Sequence, residues 1–337
     1  MAARSGTRRF KLLLVGVLFA IVAWSVIWFV AATIVDRQIA RAERMALDRD
    51  AILICAERRV TGYPFRVIVQ CGDGTKIGAN GRKLALGGIR VAAQVYNPAH
   101  LIAEVDSPAR MHFANGAEID STFDLAHASA QIDLSNGSFK QLITEIVDVV
   151  IDLGPTEVAA AELDMSVRRN PEVPEDLDFA MKMRGAVPSE GLEPSDISVR
   201  GRISGGAVLL KGRPEQLIRT LARQGLPFVI EAASVECGDM MVGLSGTLEL
   251  RPDGLVDGQL DVAVAGYEMG LPYVNLINPK TETVLSGLLT NFFANAPTTM
   301  VSGREARMMS ITIEDSRIKP GGWLPVATLP PLPLRFR

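Results

Sequence analysis

From residue 51 onward, apolar and polar positions alternate with a period of two, the pattern of strands with one buried and one wet face. Phe65, Val67 and Val69 alternate with Arg66 and Gln70, and Ile89, Val91, Ala93 and Val95 with Arg90 and Gln94. The same rhythm returns at Leu163, Met165 and Val167, at Leu177, Phe179, Met181 and Met183, and at Ile197, Val199 and Ile203. It recurs at Val242, Leu244, Leu248 and Leu250, at Leu260, Val262 and Val264, and at Ile311 and Ile313. Turn signals separate these runs: Gly72-Asp73-Gly74, Asn80-Gly81, Asn115-Gly116 and Pro252-Asp253-Gly254. The pattern predicts a long, curved, antiparallel meander sheet. Three stretches carry helical spacing instead: 139–153, 214–224 and 282–296, the second opening on Pro214 and ending before Gly225. The fold class expected is mainly β with a few helices (α+β), about three of them covering the sheet.

Before this region stands a different pattern. Residues 12–35 hold 24 positions without a charge. As a helix they extend about 36 Å, enough to cross a hydrocarbon core of about 30 Å. Arg4, Arg8, Arg9 and Lys11 precede the run with no acid among them, which predicts a cytoplasmic N-terminus and an exported body. Arg37, Arg41, Arg44 and Arg49 follow closely, so the flanks tie in number, and the basic tail decides the orientation. The run exceeds a cleavable signal's apolar region, and charge at Asp36 and Arg37 replaces the small residues of a cleavage site. The organisation expected is a tail at 1–11, a transmembrane signal anchor at 12–35 and a helical stalk at 36–50. A first β-rich half at 51–170, with its helix at 139–153, then leads through a Pro-rich linker region at 171–194. A second β-rich half at 195–337 ends in a Pro-rich apolar tail, residues 323–333.

Composition narrows the class further. The chain is 48% hydrophobic and 22% charged, which excludes a disordered protein. With a net charge of −3 it has no basic footprint, so no nucleic-acid partner is expected. Without the four tail cations the remainder is still more acidic, so contact with anionic lipid has to be apolar.

Candidate chemistry is sparse. Cys55 and Cys71 flank a predicted hairpin of strands 52–60 and 65–71. A turn centred at Gly62–Tyr63 places position 55 opposite 70 or 71, and exported thiols tend to be oxidised. A disulfide is expected, against the plainer reading of two buried thiols. Cys237 is left over as a small buried residue. His100, His112 and His127 lack third and fourth ligands at a matching spacing, so no metal site is assigned. Gly243-Leu244-Ser245-Gly246-Thr247 misses the nucleophile elbow, since its flanks read strand on both sides and Thr247 stands where Gly is required. No catalytic residue and no cofactor is assigned.

The anchor, the Cys-bounded stretch with Gly62-Tyr63-Pro64-Phe65-Arg66, the strand pair over 246–264 and the Pro-rich end together resemble an uncharacterised bacterial family, domain of unknown function 2125. The resemblance covers nearly the whole chain, and the Gly-Tyr-Pro-Phe-Arg core is its most specific mark. It implies a single-pass, periplasm-facing protein with no assigned activity. The hairpin Leu248 to Val264 also bears a weak likeness to AsmA-type envelope proteins implicated in lipid movement.

The function expected is that of a non-enzymatic, inner-membrane-anchored periplasmic protein of the cell envelope, binding lipid along an apolar sheet face. Its partners would be the inner membrane and lipid or another envelope protein. One alternative is a periplasmic protein-binding or assembly module with a closed core. A second is an envelope hydrolase.

Overall fold

A computed structural model describes residues 4–47, 51–79, 81–113, 116–154, 157–187, 193–211, 220, 223, 225–266, 296–301, 303–322, 325 and 327–329. The contacts divide the chain into two units: Met1–Gln131 with Ile151–Pro155, and Ile132–Val150 with Thr156–Arg337.

The first unit opens on a helix, α1 (Arg4–Leu47), of 44 residues. It carries the apolar run straight into the charged stalk. Leu, Ala, Arg and Glu dominate that junction, and no Gly or Pro interrupts it. Eight strands follow: β1 (Ala51–Ile54), β2 (Arg59–Thr61), β3 (Arg66–Cys71), β4 (Thr75–Ala79), β5 (Arg82–Gln94), β6 (Asn97–His112), β7 (Glu118–Thr122) and β8 (Leu125–Ile132). The long hairpin β5–β6 is the spine. Along the outer edge of β5, β4 pairs its first half and β3 its second. β6 is flanked likewise by β7 and β8. β1 then adds to β4, and β2 to β3.

The second unit is an antiparallel meander. Its strands are β9 (Phe139–Asp152), β10 (Glu157–Arg169), β11 (Leu177–Ala186), β12 (Ser195–Ile203), β13 (Leu226–Cys237), β14 (Met240–Leu250) and β15 (Val256–Ala265). Four more complete it: β16 (Thr298–Val301), β17 (Arg304–Glu314), β18 (Arg317–Pro320) and β19 (Ala327–Thr328). β10 to β15 pair in chain order. β15 then pairs β17, whose free edge takes β16 at one end and β18 at the other. Register shifts fall between Met183 and Ala186, Arg200 and Gly201, and Ile230 and Ala233. Bulges of this kind bend and coil a sheet, which gives the meander its curvature. A 3-10 turn, Gly206–Lys211, closes one end of the unit with Ala207 and Leu210 buried.

Three expectations change. The helix expected at 139–153 is strand β9. Seven of its 14 residues are β-branched (Ile143, Thr144, Ile146, Val147, Val149, Val150 and Ile151), and their stiff side chains favour the pleated conformation. Asp148 adopts φ 51°, in the left-handed region, which interrupts the alternation. Ile146 and Val149 stand three apart in the sequence, which is the spacing of a helix face. The linker region expected at 171–194 lies inside the second unit, where β11 is paired on both edges. The single strand expected over 52–60 breaks after Ile54, and Glu57 turns the chain with φ 46°. The other two expected helices fall almost wholly outside the described residues. Of the Pro-rich tail, β19 is an extended segment pairing with β18.

Candidate functional site

The alternation of β10 to β17 puts every second side chain on one face, and the registers stack those side chains into rows across the sheet. The central row is Met165, Met181, Val199, Ala233, Leu244, Val262 and Met309, one residue from each of seven strands. On one side of it runs Leu163, Met183, Ile197, Val235, Val242 and Val264. On the other run Val167, Phe179, Gly201, Ile230, Gly246, Leu260 and Ile311. At about 4.8 Å between strands, seven strands span about 29 Å. No residue of the central row is fully buried: Met165 is 39% exposed and the other six are half-buried. Within the three rows Leu163, Gly201 and Val264 are buried, and on the same face burial is complete again nearer the strand ends, at Leu177, Leu226, Leu250 and Ile313. At Gly201 a Cβ would fall 2.2 Å from the Val229 carbonyl oxygen and 3.0 Å from Cζ of the Phe179 ring, so the backbone there requires glycine.

The opposite face is polar over β10 to β13, while over β14, β15 and β17 it carries a buried apolar cluster of Met241, Ala263, Ala265 and Ala306. Glu162 pairs Arg184, Arg168 donates to Asp178 at 3.2 Å, and Arg202 lies 3.5 Å from Asp178 and 3.8 Å from Glu231. Such cross-strand ion pairs hold the register on the wet side. Asn170, 3% exposed, donates to Asp178 at 2.6 Å and accepts from the backbone of Glu172 and Val173. These groups surround a hollow of about 450 Å³ lined by carboxylates and guanidinium groups in balance. A second hollow, about 350 Å³, is floored by small residues, with Ser198 and Ser234 bonded at 2.8 Å and Asp261 accepting from Ser310 at 2.6 Å.

In the first unit the bridge Cys55–Cys71 is present. Its route differs from the expected hairpin. Arg59 pairs Gln70 and Thr61 pairs Ile68, so Cys55 has no ladder partner in β3. The sulfurs meet because the turn after β1 folds residues 55–58 back, with the Gly72 N–H donating to the Ala56 carbonyl at 2.7 Å. The bridged segment grips α1. Arg58 donates to Asp36 at 2.9 Å and to Glu43 at 2.7 Å, and the Glu43 hydrogen bond above all raises the Arg58 pKa. Gly62, Tyr63, Pro64, Phe65 and Arg66 form the turn between β2 and β3 and lie against α1. Gly62 has φ 100°, and a Cβ there would fall 2.7 Å from the Arg66 carbonyl oxygen. Trp28, 6% exposed, packs with Ala32 and Val67.

The remaining candidates are separated. His100 bonds Ser129 at 2.8 Å and His112 faces Glu118 at 3.3 Å, while His127 lies across the ladder from Glu104. Cys237 is buried at the end of β13, its Sγ 3.8 Å from the Glu193 carbonyl. The Gly243-to-Thr247 motif runs straight through β14, without the strand–turn–helix geometry of an elbow. Sequence reasoning did not find the Arg251 cluster, in which one guanidinium holds Asp315, Asp253 and Asp257 and is raised in pKa by all three, Asp315 most. Asp315 is 64 residues away, too far for local spacing to announce.

No curated protein and no solved structure matches the chain, so the likeness to AsmA-type proteins gains no support from either. Over residues 28–330 it matches the family described as "Uncharacterized protein conserved in bacteria (DUF2125)", and by that match across most of its length the chain belongs to this family of uncharacterised bacterial proteins.

Proposed function

We propose that this is a non-enzymatic cell-envelope protein, anchored in the inner membrane by α1 with its N-terminus cytoplasmic and its body periplasmic. Its second unit takes acyl chains of lipid along the apolar rows. The observation that carries this reading is the central row from Met165 to Met309, apolar on seven strands and buried on none. A closed core would bury such a row; here Met165 is exposed and the other six residues are half-buried. The rows run about 29 Å, longer than one leaflet of about 15 Å, half a hydrocarbon core. Each methylene removed from water there contributes about 0.8 kcal/mol, and flexible Met side chains at Met165, Met181 and Met309 adapt to different chains. The disulfide supports an oxidising compartment, and the Arg-rich tail supports the orientation.

The test is delipidated full-length protein incubated with envelope extract and analysed by mass spectrometry. Co-purifying acyl lipid is expected, and Leu244→Glu, which puts a charge in the central row, should lose most of it. No lipid recovered by the wild type refutes the reading. Topology is checked separately: alkaline phosphatase fused at the C-terminus should be active, and a cytoplasmically fluorescent fusion there would overturn the orientation.

A further inference from the structure

The turn that marks the family meets α1 inside its uncharged run. Trp24 Nε1 donates to the Pro64 carbonyl at 2.9 Å and Trp28 Nε1 to the Arg66 carbonyl at 2.5 Å. The Tyr63 ring stacks on Phe29 and meets Trp28 edge-on, and its hydroxyl bonds Ser25 Oγ at 2.9 Å. Counted from Lys11, the last charge before the run, Trp24 lies about 20 Å and Trp28 about 26 Å along the helix. Both fall short of the about 30 Å of a hydrocarbon core, and tilting the helix only moves them deeper. If α1 spans, the turn beside them is at membrane depth.

We infer that the Tyr63-Pro64-Phe65 turn, together with the neighbouring hairpin tip at Tyr96, is seated in the hydrocarbon of the outer leaflet. Tyr63 is 52%, Phe65 60% and Tyr96 66% exposed. Beyond α1, the exposed aromatic side chains among the described residues are these three and Phe139. The three gather at one end of the first unit, because the Val95 N–H donates to the Phe65 carbonyl at 3.0 Å and Val95 packs against the Trp28 cluster. Non-helical backbone is tolerated at that depth only when its polar groups are satisfied within the protein. Here the carbonyls of Gly62, Pro64, Phe65 and Arg66 accept from the Arg66 N–H, Trp24, the Val95 N–H and Trp28, and Pro64 has no N–H to satisfy. The occupant of this surface is lipid. The inference rests on the anchoring of α1 and is independent of acyl binding by the second unit.

The experiment places the photocrosslinker p-benzoylphenylalanine at position 65 of the full-length protein in cells. A control carries it at position 77, where Ile77 is 43% exposed and pairs Leu84 near the far end of β5, about 36 Å along that strand from Val95. After irradiation, phospholipid adducts read by mass spectrometry should be at least tenfold more abundant at 65 than at 77. Alkylation that leaves Cys55 and Cys71 protected confirms that each variant has folded. Equal adducts at the two sites, or an adduct at 65 with protein and not lipid, would overturn the inference. As a second measurement, Phe65→Trp in vesicles of lipid brominated along the acyl chain should add quenched emission, and Ile77→Trp should not. Unquenched emission from Phe65→Trp would equally overturn it.

Discussion

Removing the bridge by Cys55→Ser with Cys71→Ser tests how much of the first unit depends on one covalent link. The bridge closes a loop of sequence separation 16. For a loop of about 15 residues the chain-entropy contribution is about 3 kcal/mol, acting through the unfolded chain. A unit of this size shifts by about 3–4 °C per kcal/mol, so the thermal midpoint should fall by about 10 °C. The loop carries Arg58 and the Tyr63–Phe65 turn, so its contacts with α1 should loosen in the same transition. The assay is thermal unfolding of the purified protein in detergent, with and without reductant. Reduced wild type and the double variant should coincide. Alkylation of unfolded, unreduced wild type should modify one thiol, Cys237, and three after reduction. Three reactive thiols before reduction, or a shift under about 2 °C, would refute the reasoning.

Further outcomes follow from single contacts. Arg58→Ala removes the link to Asp36 and Glu43 and should lower stability by about 1 kcal/mol, with faster proteolysis of the stalk, because these partners are partly exposed. Gly62→Ala forces a side chain into φ 100° and against the Arg66 carbonyl; strain of about 1–3 kcal/mol should appear as a lowered thermal midpoint. Asp253 is held below the usual carboxylate pKa, chiefly by the Leu255 backbone N–H and then by Arg251. Its folded-state pKa is depressed, so its contribution is present above the unfolded value of 3.8 and is lost as pH falls through the lower folded value. Asp253→Asn should therefore flatten the acid limb of stability between 3.8 and the lower folded value and leave the neutral-to-alkaline limb parallel to wild type.

The apolar helix α1 was legible from sequence because 24 uncharged residues in a row are long and apolar enough to cross a membrane. The strands were legible where alternation was clean, as at Met181, Val199 and Leu244, since a pleated backbone forces side chains to opposite faces. β9 was not, because Leu142, Ile146, Val149 and Val150 fall at helical spacing in a strand whose Asp148 is in a left-handed conformation. The pairing of Cys55 with Cys71 was foreseen, but the hairpin is shorter than expected and does not include Cys55, since β2 pairs β3 only from Arg59 to Thr61 and the chain turns at Glu57. Nothing local announced that the Gly62-to-Arg66 turn lies on Trp24 and Trp28, or that Arg251 gathers Asp315. Periodicity reports what each element presents to its surroundings. Which element meets it depends on registers, bulges and turns summed over dozens of residues, and only the folded chain carries that sum.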